Sequence, residues 1–226
     1  MYLWYWSYIL LVPALVLGIY AQARVRSTFN RYSQIPSARG LTGAQGARQL
    51  LDSAGLGDVG IEVKGSRLSD HYDPRSRVLT LSPDVGNSNS LAALGVAAHE
   101  AGHAMQHAAR YAPFRYRSAL VPVANLGSNL GFILFFVGLF FFQRNPVMMS
   151  IGIVLYSCAV LFTVVTLPVE LNASKRAMTE LSNRNILVAD ELTGAKKVLS
   201  AAALTYVAAA LMAVLQLVRL ILISRR

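Results

Sequence analysis

Four long stretches of the chain carry almost no charge and are rich in apolar side chains. They cover residues 1–23, 118–143, 147–168 and 198–220. A helix needs about 20 predominantly apolar residues to cross the hydrocarbon core of a bilayer. The pattern therefore predicts four transmembrane helices, with the second and third joined by a short turn at residues 143–146.

The first apolar stretch could be a retained membrane anchor or a cleaved signal peptide. Aromatic side chains cluster near its start, as they do where membrane helices meet the interface. These are Trp4, Tyr5, Trp6 and Tyr8. Residues 21–23 resemble a cleavage site, but the basic segment that begins a signal peptide is missing. We therefore interpret the stretch as a retained anchor.

Residues 24–117 mix polar and apolar positions and are predicted to form a compact domain. Thr42 and Gln45 match a capping box at the start of a helix that ends near Gly55. Residues 60–65 alternate like a short strand. A β-hairpin is predicted next, because two strand-like segments flank a turn of typical composition. The segments are residues 67–72 and 77–82, and the turn is Asp73-Pro74-Arg75-Ser76.

Two further helical segments are predicted beside this domain. One begins after Ser88 or Ser90 and extends to about Arg110. The other covers residues 169–197, opens at Pro168 and marks a return of charged side chains. The expected fold is a mainly α membrane protein with about four transmembrane helices and a small α+β domain.

Composition supports a membrane protein and excludes other classes. Hydrophobic residues make up 54% of the 226 positions and charged residues only 14%, which is unusual for a water-soluble domain. The single cysteine, Cys158, excludes a disulfide framework. With a net charge of +10 and no nucleic-acid-binding motif, the expected partner is the lipid bilayer and not nucleic acid.

The most informative motif is H-E-x-x-H, formed by His99, Glu100 and His103. Residues four apart lie on one face of a helix, so the two imidazoles can bind one ion. A catalytic zinc acidifies a water, and an adjacent carboxylate can accept the proton. The flanking helix is apolar, and burying two His and a Glu there without a common partner would be costly. The motif predicts one Zn²⁺ per chain in a zincin-like catalytic domain, with Glu100 as general base.

The sequence offers several candidates for the third zinc ligand. A catalytic zinc with two histidines commonly takes one carboxylate as well. His107 is excluded, because it lies about 12 Å from His99 along the helix axis. Four downstream carboxylates remain candidates: Glu170, Glu180, Asp190 and Glu191. Glu170 follows the third span at once, where the membrane hairpin is expected to return the chain to the same face.

His71, at the predicted hairpin, has two candidate roles. It could stabilise the oxyanion formed when a peptide bond is attacked, or it could only stabilise the turn. The hairpin could likewise bind extended substrate by strand pairing or be purely structural. The sequence leaves both questions open.

The distribution of basic residues predicts sidedness. Twelve Lys and Arg follow the first span and five follow the third, whereas the loop between the second and third has one. Because Lys and Arg concentrate in cytoplasmic segments, the catalytic domain is expected on the cytoplasmic side. Four spans then place the tail residues 225–226 outside, against the same rule, and we follow the majority of the charges.

Four separated segments resemble those of the YugP-type neutral zinc metallopeptidases, which are prokaryotic membrane proteins. In chain order they are residues 69–74, 97–104, 166–174 and 201–208. The resemblance implies a multi-pass protein of the prokaryotic cell (inner) membrane that hydrolyses peptide bonds in peptide or protein substrates.

More distantly, the layout is similar to the HtpX and CAAX prenyl protease group of gluzincins. In that group a Glu in an E-x-x-A-[DS] helix beyond membrane spans completes the zinc site, which implies that Glu170 is the third ligand here. Ser174 stands where those enzymes often have Asp, a stronger orienting partner for a ligating His. The analogy also implies a role in membrane protein quality control.

Two other functions remain open. An intramembrane protease of the site-2 type carries H-E-x-x-H within a span, but here a later Leu-Asp-Gly motif is missing and three arginines follow the motif closely: Arg110, Arg115 and Arg117. A non-enzymatic membrane scaffold would need a fourth protein ligand to close its zinc site. His71 and Asp84 are weak candidates for that ligand. The sequence predicts neither the substrate nor the oligomeric state.

Overall fold

A computed structural model of the chain describes residues 7–66, 69–142 and 144–225. Its elements, in chain order, are α1 (Val12–Tyr32), α2 (Gly43–Ser53), β1 (Gly60–Val63), β2 (His71–Asp73), β3 (Val78–Leu81), α3 (Pro83–Gly86), α4 (Leu91–Ala108), α5 (Ala112–Phe140), α6 (Pro146–Asn183) and α7 (Ala189–Ser224). Several predicted features lie outside the described residues. These are the aromatic positions Trp4, Tyr5 and Trp6, the first hairpin positions at residues 67–68, the turn residue Gln143 and the terminal Arg226.

Four helices of the described chain are long and apolar enough to cross a membrane. They are Ser7–Tyr32, Ala112–Phe140, Pro146–Asn183 and Ala189–Ser224. Together with one small sheet, they confirm the predicted class of a mainly α membrane protein with a small α+β domain.

Pro168 does not open a new helix, contrary to the sequence-based expectation. It lies inside α6, which continues without a break to Asn183. Proline removes one backbone hydrogen bond from a helix interior. The next turns bury Val169, Ala173 and Ala177 completely, and this packing keeps the segment helical.

The chain divides into two compact units. Of the described residues, the membrane unit comprises 7–21, 115–142, 144–168 and 204–225, and the α+β unit comprises 22–66, 69–114 and 169–203. Within the membrane unit, α5 and α6 approach closely at two glycines. A Cβ added at Gly131 would lie 2.8 Å from the carbonyl oxygen of Gly152, and one at Gly152 would lie 2.7 Å from that of Gly131. Small residues of this kind let membrane helices pack backbone to backbone.

In the α+β unit, side-chain caps start two helices as predicted. The hydroxyl of Thr42 accepts a hydrogen bond from the backbone of Gln45, whose side chain accepts one from Thr42, which completes the capping box of α2. Of the two serines considered for α4, Ser90 is the cap, since its hydroxyl accepts from the backbone of Ala93.

The sheet has the order β1-β3-β2, with β1 parallel and β2 antiparallel to β3. The central strand buries Leu79 and Leu81 completely. The hairpin forms as predicted but is shorter, because its first strand begins at His71. The carboxylate of Asp70, just before it, accepts hydrogen bonds from the backbone and hydroxyl of Ser82 instead of continuing the ladder.

Helix α4 lies at the centre of the α+β core and is built largely from small residues. At Gly102, the backbone of α6 comes so close that an added Cβ would lie 2.6 Å from the carbonyl oxygen of Ala173. A side chain at this position would push the two helices apart. The spacing between α4 and the following part of α6 therefore depends on Gly102.

We expect Gly102→Ala to destabilise the protein, and Gly95→Ala on the same helix provides the matched control. Both substitutions gain about 1 kcal/mol of helix propensity, but at Gly95 the nearest atom to an added Cβ is the Cβ of Ala195 at 3.4 Å. Overpacking a tight site costs about 1–3 kcal/mol. Thermal unfolding of the detergent-purified protein should show a lower Tm for Gly102→Ala only. Equal melting of both variants would contradict the close contact.

Candidate metal centre

Helix α4 places two imidazoles side by side. His99 and His103 are one turn apart, and their ring centroids are separated by 4.8 Å with the planes nearly perpendicular at 81°. His103 is buried, and His99 is partly exposed. This arrangement follows from the four-residue spacing of the motif on a regular helix.

Glu170 reaches the same point from α6. Its Oε2 lies 3.1 Å from Nε2 of His99 and 3.5 Å from Nε2 of His103. The three side chains can each offer one ligand atom within 4.8 Å of the others. Two imidazole nitrogens and one carboxylate oxygen are the donor set of a catalytic zinc site that keeps one position for water. The residues present therefore fit a zinc ion.

Gln106 determines which nitrogen of His103 faces Glu170. Its Nε2 donates to the carbonyl oxygen of Val169 at 2.8 Å and to Oδ1 of Asn172 at 3.0 Å. Since Nε2 has these acceptors, Oε1 faces Nδ1 of His103, 3.0 Å away, and accepts its proton. That tautomer leaves the lone pair of the His103 Nε2 free for a metal.

Ser174 makes the corresponding contact to His99. Its hydroxyl oxygen lies 3.1 Å from Nδ1 of His99, while Nε2 of that ring faces Glu170. A hydroxyl can accept the Nδ1 proton. Ser174 thus contacts His99 from the position where the HtpX and CAAX prenyl protease group often has Asp. Its hydroxyl is neutral, whereas an Asp carboxylate would carry a negative charge.

The two acidic side chains of the centre affect the protonation of His103. Burial disfavours the charged imidazole, but the hydrogen bond to Glu170 and the negative charges of Glu100 and Glu170 favour it. The balance raises the pKa of His103 above its ordinary value. Glu100 is itself buried, with 8% of its surface exposed. A cation binding between these groups would replace the proton as the balancing positive charge.

His107 lies one turn beyond His103 and is not part of this cluster. Its Nδ1 is 2.9 Å from the hydroxyl of Tyr72 on β2. Burial raises the pKa of Tyr72, so the phenol stays protonated at neutral pH and can donate this hydrogen bond. Phe114 packs against the rings of both His103 and His107.

The competing carboxylates have other partners or lie in solvent. Glu180 on α6 pairs with Arg184, the residue just beyond the end of that helix, at 3.5 Å. Glu191, in the first turn of α7, accepts hydrogen bonds from the backbone of Ala38 and of Val188. Asp190 is exposed. Of the four candidates, Glu170 is the one that the described structure places with the two histidines.

His71 has a local contact. It is exposed at the start of β2, and its Nδ1 bonds to the backbone oxygen of Ser69 at 2.7 Å. This contact agrees with a role in stabilising the loop before the hairpin. A role in catalysis stays a prediction.

Sequence reasoning missed Gln106 and Asn172. Gln106 follows His103 by three residues, a spacing at which side chains meet on a helix, and that signal could have identified it. Asn172 gave no such signal, because its position depends on how α6 packs against α4. Its Oδ1 also accepts from Nε of Arg176, so one side chain links Gln106 to a cation on α6.

Comparison with known proteins gives a consistent result. A family described as "Putative neutral zinc metallopeptidase" matches residues 7–225. The chain is 44% identical to "Putative membrane protease YugP" of Bacillus subtilis (strain 168) over 214 residues, which cover 95% of this chain and 94% of the relative. No solved structure matches.

Glu170→Ala should remove zinc, whereas Glu180→Ala on the same helix should retain it. Loss of an outer hydrogen-bonding partner typically weakens metal binding about 10–100-fold, and loss of a ligand should exceed that. Metal analysis of the purified variants measures the difference. Stoichiometric zinc in Glu170→Ala would contradict the assignment of Glu170 as a ligand.

Proposed function

The chain belongs to the neutral zinc metallopeptidase family, and we propose that it is a membrane-anchored endopeptidase that holds one zinc ion with His99, His103 and Glu170. The observation that carries this proposal is the convergence of two imidazole nitrogens and a buried carboxylate oxygen within 4.8 Å. Peptides or proteins are the proposed substrates.

The chemistry divides between the metal and the chain. Zinc bound here would polarise the scissile carbonyl and acidify a water. Glu100, adjacent to a ligand and buried, accepts the proton of that water and later donates it to the leaving amine. Gln106 and Ser174 hold the two imidazoles in the tautomers that ligation needs. Their role is positioning.

The ligand count supports a catalytic rather than a structural site. A closed structural zinc site needs four protein ligands. Among the described residues, the cluster consists of three side chains, and neither His71 nor Asp84 belongs to it. A non-enzymatic scaffold is therefore less well supported.

An intramembrane protease of the site-2 type is also less well supported. In that class the H-E-x-x-H helix is a membrane span. Here the four helices of the described chain that could span a membrane do not include α4.

We place the zinc centre on the cytoplasmic face of a prokaryotic cell membrane. Seventeen Lys and Arg in residues 24–117 and 169–197 support this orientation. Cleavage of membrane or damaged proteins would give the enzyme a role in quality control, which rests on the analogy to HtpX.

Glu100→Gln should abolish cleavage without removing the metal. The amide cannot accept a proton, so turnover of a denatured casein-like substrate should fall by at least about 10²–10⁴. Because both histidines and Glu170 are unchanged, zinc content should equal that of the wild type. Full activity in this variant would exclude Glu100 as the base.

The side of the membrane on which the α+β unit lies can be tested with a cysteine at position 57. Gly57 is exposed, and a Cβ added there would have one neighbouring atom within 4 Å. In a Cys158→Ser background, Gly57→Cys should resist a membrane-impermeant thiol reagent in intact cells and react after lysis. Phe142→Cys, in the turn between the second and third spans, should react in intact cells. The opposite pattern would reverse the topology.

A further inference from the structure

Within the α+β unit, α6 and α7 leave an open groove between them of about 520 Å³. The apolar part of its lining is formed by Leu171 and Met178 on α6 and by Leu192, Leu199 and Ala203 on α7. Ligand-binding clefts commonly have about 300–1,000 Å³ and a largely apolar lining. The groove is large enough for several side chains.

Two lysines give the groove a positive charge. Lys175 lines the groove from α6 and Lys196 lines it from α7. Because α6 ends at Asn183 and α7 begins at Ala189, each lysine lies about two turns from the connection between the helices, at a similar position along the groove. No Asp or Glu is part of the lining. Neither lysine has an ion-pair partner among the described residues. The groove is therefore complementary to a ligand that carries an anionic group next to an apolar surface.

The groove adjoins the candidate metal centre through Ser174. This residue lines the groove, and its hydroxyl also contacts Nδ1 of His99. Lys175 is the next residue along α6. A ligand in the groove is thus one side chain away from a proposed zinc ligand.

We propose that this groove is a substrate subsite that takes an apolar peptide segment carrying an acidic side chain, with the carboxylate bound between Lys175 and Lys196. The proposal rests on the proposed peptidase function. The part of α6 that lines the groove runs from Leu171 to Ser182 and is about 16 Å long. This length matches about five residues of extended peptide. A peptide is favoured over a phospholipid because Ser174 joins the groove to the metal centre.

Binding to the zinc-loaded, full-length Glu100→Gln variant in detergent tests this directly. Three fluorescent peptides share one apolar sequence and carry Glu, Gln or Lys at one central position, and anisotropy gives their Kd values. We expect the Glu peptide to bind roughly three- to tenfold more tightly than the Lys peptide, since exposed ion pairs contribute modestly. The preference should weaken at high salt.

Charge reversal identifies the lysines responsible. Adding Lys175→Glu and Lys196→Glu should invert the preference toward the Lys peptide, and adding Lys175→Ala and Lys196→Ala should abolish it. Lys197→Glu is the matched control, because Lys197 is exposed beside Lys196 but does not line the groove. This control should keep the original preference, and zinc content should be equal in all variants.

Several results would overturn the proposal. One is an unchanged preference in both double variants, and another is a failure of all three peptides to bind. A third concerns lipid bound to the protein in mixed micelles of phosphatidylglycerol and phosphatidylcholine. If the double variants kept the peptide preference but retained less phosphatidylglycerol, relative to phosphatidylcholine, than the protein with both lysines, the groove would be a lipid site. Failure of the peptidase function has a separate signature, namely zinc-loaded wild-type protein that binds the peptides but cleaves none.

Discussion

The close contact between α4 and α6 is the constraint on which the rest of the centre depends. Two histidines on one helix need a third group from elsewhere, and a glutamate side chain has a limited reach. Because position 102 has no side chain, the backbone of Ala173 can approach α4 directly. This approach brings the preceding turn of α6, with Glu170, to the histidines. Small residues in this part of the chain thus serve the chemistry as well as the packing.

The orientation of the two imidazoles depends on a second set of interactions across the same helix pair. Gln106 connects the ring of His103 to two groups on α6, the carbonyl of Val169 and the side chain of Asn172. Replacing this amide by an apolar side chain would leave buried polar groups without partners. The network therefore links the packing of the two helices to the protonation state of His103. A neutral Ser174 performs the same task for His99, so the centre gains no further negative charge.

Much of the fold follows from local signals in the sequence. The spans are recognisable because a bilayer requires long apolar segments, and the cap of α2 because Thr42 and Gln45 have the required spacing.

Part of the candidate site also follows from the sequence. The pairing of His99 with His103 follows from helix geometry alone. Helix geometry left four carboxylates as candidates for the third ligand, and two further features favoured Glu170: its position directly after the third span and the resemblance to a family. The continuity of α6 through Pro168 was mispredicted, because tertiary packing outweighed a local signal. Asn172 and the groove beside Lys175 depend on how helices meet, which composition does not reveal.

The position of Glu170 has a consequence for how the protein is made. The histidines leave the ribosome early, whereas Glu170 follows 67 residues after His103, beyond two apolar segments. Until those segments have been synthesised, the nascent chain lacks one residue of the proposed ligand set. Under the proposed function, zinc capture would therefore be a late step of biogenesis, and no active peptidase would form before the two apolar segments have been synthesised.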